Sequence, residues 1–143
     1  MRCVLDTDVF IAAVRSPTGA SRCWLNAALR QRYTLLLSLP LFLEYEDVLR
    51  RAETLAAVGL TVTDADTLLD ALAAVVKPVE VNFLWRPQLR DPGDEMVLEA
   101  AVNGRADWLL TFNQRHLCDA ARRFGIPCGR PGNVLIRYPE FRA

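Results

Sequence analysis

Histidine and lysine are almost absent from this sequence, in which His116 and Lys77 are the single residue of each type. The chain also has no CxxC pair with metal or redox spacing, and no GxGxxG, P-loop or nucleophile-elbow motif. We expect His116 to begin a helix or to contact a phosphate rather than to act as a catalytic base. The formal net charge is zero, so no overall field attracts the chain to nucleic acid.

Long hydrophobic runs are missing as well, and no apolar segment is long enough to cross a bilayer. The first residues are typical of a strand rather than of a basic segment before an apolar run, so we expect no signal peptide. We therefore expect a cytoplasmic protein without membrane contact, with reduced cysteines at Cys3, Cys23, Cys118 and Cys128. The 143 residues, 52% of them hydrophobic, fit a single domain over 1–143.

Short apolar segments alternate with segments of helical periodicity along the chain. This alternation predicts right-handed β-α-β units and a three-layer α/β/α fold with a central, mainly parallel sheet of four to five strands. Ligands bind outside the carboxyl ends of the strands in such sheets. Strands are predicted at residues 3–5, 33–37, 78–81, 107–111, 126–128 and 134–136.

Asp6 and Asp8 directly follow the first predicted strand. That strand, residues 3–5, is apolar without alternation, as expected for a strand that is buried on both faces. Aspartate is disfavoured in strands, so the strand should end here and leave both carboxylates at the carboxyl edge of the sheet. Asp8 fits a helix-capping role equally well. The case for a functional Asp6 depends on further acids that converge on it.

Glu44 lies in a predicted helix, on the same stripe as Leu41 and Val48. We therefore expect its side chain to point toward the core or along its edge. An acid in such a place requires a partner, a cation or a raised pKa. Glu46 and Asp47 are expected to face solvent, where arginines four positions further on can pair with them.

Asp94 lies in the first turn of another predicted helix, for which Asp91 fits the N-cap and Pro92 the first helical position. Apolar residues follow Asp94 at helical spacing, so it heads the stripe that faces the core. Glu95 and Glu99 are expected on the opposite, solvated face. The inward direction of Asp94 makes it a third functional candidate, after Asp6 and Glu44.

Asn113 follows the predicted strand at 107–111 and brings another polar side chain to the same edge. The candidate site therefore consists of Asp6, Glu44, Asp94 and Asn113, with Asp8 as a further acid beside Asp6. Hard oxygen ligands without histidine or cysteine suit Mg²⁺ or Mn²⁺. Such a site fits metal-assisted attack of water on a phosphodiester.

Five parts of the sequence, taken in order, are similar to one family: residues 4–9, 44–49, 90–95 with 98–101, 106–113 and 138–141. They resemble a PIN domain of the kind found in VapC-like toxins of bacterial toxin–antitoxin systems. The resemblance implies an Mg²⁺- or Mn²⁺-dependent endoribonuclease that cleaves RNA and is bound by a cognate antitoxin. The metal-binding acids of the family would fall on Asp6, Glu44 and Asp94.

Two positions depart from the family pattern, which usually has Asn at the place of Asp8 and often has an acid at that of Asn113. Since a neutral Asn113 attracts a second metal less strongly, a catalytically weakened PIN fold that binds RNA or an antitoxin is an alternative. Asp6 and Asp8 also resemble the opening of haloacid-dehalogenase-type phosphatases, with Asp6 as nucleophile. That chemistry requires a lysine, and Lys77 is the only one available.

The helices predicted between Leu41 and Val76 carry more apolar residues than one core-facing stripe requires. An apolar surplus of this kind is typical of a surface that another protein covers. Together with the family resemblance, it predicts a homodimer.

Overall fold

The computed structural model describes residues 1–82 and 89–142. Its strands are β1 (Arg2–Leu5), β2 (Thr34–Ser38), β3 (Lys77–Val79), β4 (Trp108–Leu110) and β5 (Cys128–Gly129). These strands pair in parallel in the order β3-β2-β1-β4-β5, so β1 lies at the centre of the sheet. The predicted three-layer α/β/α fold with a parallel sheet is confirmed.

Helices cover the sheet and carry the chain from one strand to the next. They are α1 (Thr7–Arg15), α2 (Ala20–Leu29), α3 (Leu39–Leu49), α4 (Ala52–Val58), α5 (Val62–Val75), α6 (Pro92–Gly104), α7 (Asp119–Arg123) and α8 (Pro131–Leu135). A π-helical turn at Gln114–Cys118 precedes α7, and a 3₁₀ turn at Pro139–Arg142 follows α8. No helix in residues 1–82 and 89–142 is both long and apolar enough to span a membrane.

The central strand is buried on both faces, as its unbroken apolar sequence predicts. Cys3, Val4 and Leu5 are fully buried, and β1 pairs with β2 on one side and β4 on the other. The backbone N–H of Asp6 still donates to the carbonyl of Leu110, at 2.9 Å. The sheet therefore fixes the backbone of Asp6 at the point where β1 ends and α1 begins.

Tyr45 of α3 fixes the same point from above the sheet. Its hydroxyl donates to the carbonyl of Leu5, and its ring stacks on Phe10 of α1 with centroids 4.4 Å apart. Tyr45 and Phe10 are both fully buried. Two helices and the central strand thus meet immediately beside Asp6, which favours one fixed position for its carboxylate.

One predicted strand is wrong, because residues 134–136 belong to α8 and the turn that follows it. Arg130 is the N-cap of this helix and Pro131 occupies its first position, where a proline needs no hydrogen-bonded N–H. Trp24 donates its indole N–H to the carbonyl of Pro131 at 3.0 Å and fixes the start of the helix. The short apolar run alone did not distinguish a buried strand from a buried helix.

The expectation that all cysteines are reduced is wrong for one pair. Cys118 and Cys128 form a disulfide, with their Cα atoms 5.3 Å apart, whereas Cys3 and Cys23 are free. The turn after β4 and the short α7 bring the chain back to β5, so cysteines separated by 10 positions face one another. No CxxC spacing is needed for this contact.

The disulfide can be tested by counting thiols. Protein that is denatured without reductant should show two reactive thiols, those of Cys3 and Cys23, and reduction should raise the number to the four cysteines of the sequence. Reduction should also lower the free energy of unfolding by about 2–4 kcal/mol, because the unfolded chain loses a cross-link. Four reactive thiols before reduction would contradict the disulfide.

Candidate active site

A chain of hydrogen bonds joins two carboxylates at the carboxyl edge of the sheet. The hydroxyl of Thr111 donates to Oδ2 of Asp6 at 2.6 Å, and the backbone N–H of Asn113 donates to the Thr111 hydroxyl oxygen at 2.9 Å. The side-chain amide of Asn113 then donates to Oδ2 of Asp94 at 2.9 Å. The side chains that follow β1 and β4 are thereby connected to the first turn of α6.

Asp6 does not serve as a helix cap. It is the N-cap residue of α1, but its side chain makes no capping hydrogen bond and accepts the Thr111 hydroxyl instead. The side chain is only 7% exposed. Helix capping therefore does not account for the position of the Asp6 carboxylate.

Local sequence places Asp94 at the start of α6, as predicted. The Asp91 carboxylate accepts the backbone N–H of Gly93 at 2.8 Å as the N-cap, and Pro92 begins the helix. Asp94 is partly buried in the first turn, near the positive end of the helix dipole. On the other side of the site, the side-chain oxygen of Asn113 accepts a hydrogen bond from the backbone N–H of His116 at 3.4 Å. Asn113 thereby caps the π-helical turn.

Burial raises the pKa of Asp6 to about 6, since the charged form loses its hydration. The hydrogen bond from Thr111 lowers this pKa, whereas the nearby charges of Asp8 and Asp94 raise it further. Burial also raises the pKa of Asp94, and so do Asp91 and Asp8, against the lowering effects of Asn113 and His116. Each acid at this edge therefore destabilises the charged form of its neighbours.

Asp8 and Glu44, the other two acids of the predicted site, are placed differently. Asp8 is exposed on the first turn of α1, and its charge acts on both Asp6 and Asp94. Glu44 is partly buried on α3. The hydrogen bond and charge of Asp47 raise the pKa of Arg51, and the charge of Glu44 adds to this effect. The groups that shift the pKa of Asp6 do not include Glu44. A role for Glu44 in the site stays a prediction.

Glu95 and Glu99 were expected in solvent, and this is wrong: they are 4% and 5% exposed. Leu89, which precedes α6, lies beside this face of the helix, and its backbone N–H donates to the Glu95 carboxylate. Asp47 is exposed and pairs with Arg51 at 2.7 Å, as predicted. Glu46 is partly exposed, but Arg50, its expected partner, pairs with Asp66 of α5 at 3.0 Å.

A cleft of about 660 Å³ opens over this edge of the sheet. The residues in the described part of the chain that line it are Leu89, Arg90, Asp91, Asp94, Asn113 and His116. Arg90 and His116 are exposed at the cleft, so basic groups stand beside the acids. This arrangement suits an anionic substrate that must approach carboxylates, even though the whole chain has no net charge.

The described side chains at this edge have oxygen ligands of the kind that a hard divalent cation prefers, but they are not close enough together to form a complete set of ligands. Asp6 and Asp94 offer carboxylate oxygens, and repulsion among the acids would be relieved by a bound cation. In residues 1–82 and 89–142, however, no three acidic, histidine or cysteine side chains lie close enough to hold a metal by themselves. Water or substrate oxygens would complete the coordination, as is usual for Mg²⁺.

Thr111 is the site residue that sequence reasoning did not include among the candidates. It is fully buried and links the two halves of the hydrogen-bonded chain. Its polar side chain at the end of an apolar strand was the available signal. Lys77, in contrast, is exposed at the amino end of β3, so the lysine that a haloacid-dehalogenase mechanism requires is not placed beside Asp6.

The family model of the PIN domain matches residues 2–115. This chain belongs to the PIN domain family. A search of curated proteins and a search of solved structures each found no match. PIN domains are generally nucleases and typically use divalent metals. The match extends through Asp6, Glu44, Asp94 and Asn113, so all four predicted site residues lie in the domain.

The cost of a charged, buried Asp6 can be measured through its pH dependence. Its pKa is raised from 3.8 to about 6 in the folded protein, so the cost is absent below about pH 4, grows as the pH rises, and is complete above about pH 6. In EDTA at pH 8, Asp6→Asn should therefore raise the free energy of unfolding by up to about 3 kcal/mol. At pH 4.5 most of this gain should disappear.

Urea unfolding at both pH values provides the measurement. Asp47→Asn is the matched control, because it removes one exposed carboxylate that pairs with Arg51 on the surface. If Asp6→Asn is no more stable than the wild type at pH 8, the buried charge of Asp6 does not lower the free energy of unfolding.

Proposed function

We propose that this PIN domain is an Mg²⁺- or Mn²⁺-dependent endoribonuclease that hydrolyses phosphodiester bonds of RNA. The observation that supports the proposal most directly is the link between Asp6 and Asp94 through Thr111 and Asn113. Two carboxylates from different elements are held at the edge where parallel sheets bind ligands. The nuclease character of the family and the basic groups at the cleft support the same conclusion.

In this proposal Asp6 and Asp94 are the main metal ligands, and Asp8 and Glu44 are further acids of the site. When bound, the cation supplies an activated water and neutralises charge that develops on the phosphate. Thr111 holds the orientation of Asp6, and Asn113 holds that of Asp94. Arg90 and His116 lie at the cleft, where they can contact phosphate oxygens on either side of the scissile bond.

Cleavage of RNA is the first test of this proposal. Asp6→Asn should abolish metal-dependent cleavage while the fold stays intact, because it removes one charge from a site that needs a cation and keeps the side-chain volume. Glu44→Gln should also reduce cleavage strongly if Glu44 is part of the site. The measurement is cleavage of labelled RNA by purified, nuclease-free protein with Mn²⁺, Mg²⁺ or EDTA.

Glu46→Gln is the matched control on the same helix, since Glu46 is also partly exposed and loses the same charge. It should cleave at the wild-type rate. Cleavage by Asp6→Asn at the wild-type rate would show that the metal-nuclease proposal is wrong. Wild-type protein that binds RNA without cleaving it would favour a binding module instead.

Asn113→Asp tests the departure from the family pattern. The Asn113 amide donates to Asp94, so an aspartate there would place one carboxylate against another. We expect tighter Mn²⁺ binding and a lower melting temperature in EDTA, with part of the loss restored by Mn²⁺. Asn113→Ala, which removes the hydrogen bond without adding charge, is the control. An unchanged affinity for Mn²⁺ in Asn113→Asp would place the metal away from this residue.

We further propose that the protein is the cytoplasmic toxin of a toxin–antitoxin pair and forms a homodimer. Exposed apolar side chains on α3 support a partner: Leu39 and Leu43, four residues apart on this helix, are 68% and 50% exposed. Leu39 also lines a groove whose other apolar residues include Phe42 and Val76. Val62, at the start of α5, is 46% exposed. Contiguous exposed apolar side chains such as those of α3 are typical of covered surfaces.

The homodimer is tested by sedimentation or light scattering at high micromolar concentration without an antitoxin. The wild type should be a dimer, and Leu43→Asp should shift it to a monomer because a charge would lie in the apolar interface. Ile136→Asp is the control, since Ile136 is 72% exposed but lies after α8. A monomeric wild type would contradict the homodimer.

A further inference from the structure

A second cavity, of about 350 Å³, is lined by Phe112, whose neighbour in the chain, Asn113, lines the cleft. It is bounded by α1, the amino end of α2, the residue Phe112 and the start of α8. Its lining residues are Ala12, Ser16, Gly19, Ala20, Ser21, Phe112, Arg130, Pro131, Gly132 and Asn133. Most of these are small or apolar, and none of them is an acid. The cavity therefore differs in chemistry from the acidic site next to it.

Phe112 connects the cavity to the site through the backbone. It lies between Thr111 and Asn113, whose side chains both belong to the hydrogen-bonded chain that joins the two carboxylates. A second connection runs along α1, where Asp8 and Ala12 are four residues apart and share one face of the helix, about 6 Å along its axis. The spacing of Asp8 and Ala12 is similar to the length of one nucleotide unit, so a strand bound at the acids has the reach to place a neighbouring base in the cavity.

The walls of the cavity have the features of a site for a flat aromatic ring. Phe112 is 39% exposed, and the guanidinium of Arg130 lies 5.6 Å from the centre of its ring. Exposed aromatic rings with neighbouring arginines are the stacking surfaces that bind bases of single-stranded nucleic acid. Ser21 is 6% exposed and places a hydroxyl-bearing side chain in the wall of the cavity.

We propose that this cavity binds an unpaired nucleobase of the RNA strand whose phosphate lies at Asp6 and Asp94, an inference that rests on the proposed function. Phe112 stacks on the base, Arg130 contacts the adjacent phosphate, and the Ser21 hydroxyl bonds to an edge of the base. A base that is paired in a duplex cannot enter the cavity, so the base that occupies it is unpaired.

Charge and adjacency favour RNA over other occupants. The cavity presents a cation, Arg130, and an aromatic face, and it adjoins a site whose acids suit phosphodiester chemistry. An acyl chain would use neither the charge of Arg130 nor the hydroxyl of Ser21, and it would cover part of this polar surface without replacing its contacts with water. A nucleotide satisfies all three groups with its phosphate, its ring and its polar edge.

The test uses fluorescently labelled, unstructured 12-nucleotide RNAs. One RNA is complete, and each RNA of a matched series carries a single abasic position at a different site. Dissociation constants are measured by fluorescence anisotropy in EDTA, and kcat/KM for cleavage is measured in Mn²⁺. Phe112→Leu should weaken binding of the complete RNA at least about fivefold, the loss expected for one stacked base. Phe112→Trp should keep or increase the affinity.

The abasic substrates make the test specific to the cavity. For one abasic position, wild-type protein should lose as much affinity as Phe112→Leu loses with complete RNA, and the two losses should not add. If Phe112→Leu weakens the binding of the complete RNA and of every abasic RNA by the same factor, the inference is overturned. So would wild-type affinity of Phe112→Leu for complete RNA.

Arg130→Ala and Arg137→Ala form a matched pair, because Arg137 also lies over an aromatic ring, that of Trp108, at 5.4 Å. Both variants lose one exposed positive charge, but only Arg130 lines the cavity. Arg130→Ala should weaken binding at least threefold more than Arg137→Ala, and equal losses would contradict the role of Arg130 in the cavity.

Failure of this inference and failure of the proposed function give different results. If wild-type protein and Phe112→Leu cleave RNA in Mn²⁺ with equal kcat/KM, the base-binding cavity is overturned and the proposed nuclease function is supported. Binding that depends on Phe112 and on one base, without cleavage in Mg²⁺ or Mn²⁺, would support the base site and overturn the nuclease. Wild-type protein that neither binds nor cleaves the RNA would overturn both.

Discussion

The burial of one carboxylate, that of Asp6, is the constraint on which the rest of the site depends. Asp6 ends the central strand, and Tyr45 and the carbonyl of Leu110 fix the backbone around it. A buried carboxylate needs hydrogen-bond donors, and the Thr111 hydroxyl from the neighbouring strand is one of them. The Thr111 hydroxyl oxygen in turn accepts a hydrogen bond from the backbone N–H of Asn113. This bond holds the loop after β4 where Asn113 can contact α6.

The same constraint opposes stability and favours function. Charges at Asp6, Asp8 and Asp94 repel one another, and burial makes the repulsion stronger, so the metal-free fold carries a cost. Natural proteins commonly retain such costs at functional sites. A neutral Asn113 reduces the cost, since it donates to Asp94 and adds no charge.

Much of the fold and part of the site were predictable from local sequence. An unbroken apolar strand followed by Asp6 identified the sheet edge, and the cap formed by Asp91 placed Asp94 in the first turn of α6. Glu95 and Glu99 were placed wrongly because helical periodicity shows which face is apolar but not what covers the other face. Pairs that form only through tertiary contact could not be predicted from local sequence either. The Cys118–Cys128 disulfide, the Arg50–Asp66 ion pair and the hydrogen bond from Thr111 to Asp6 all join residues that are separated in the sequence.

The most direct test of this account is the position of a metal ion in crystals grown with Mn²⁺. An anomalous difference peak should lie between the carboxylates of Asp6 and Asp94, within coordinating distance of at least one of them, and should disappear in Asp6→Asn. A peak near Glu44 as well would add that residue to the ligands. Mn²⁺ bound only elsewhere, or a peak that persists unchanged in Asp6→Asn, would contradict the account.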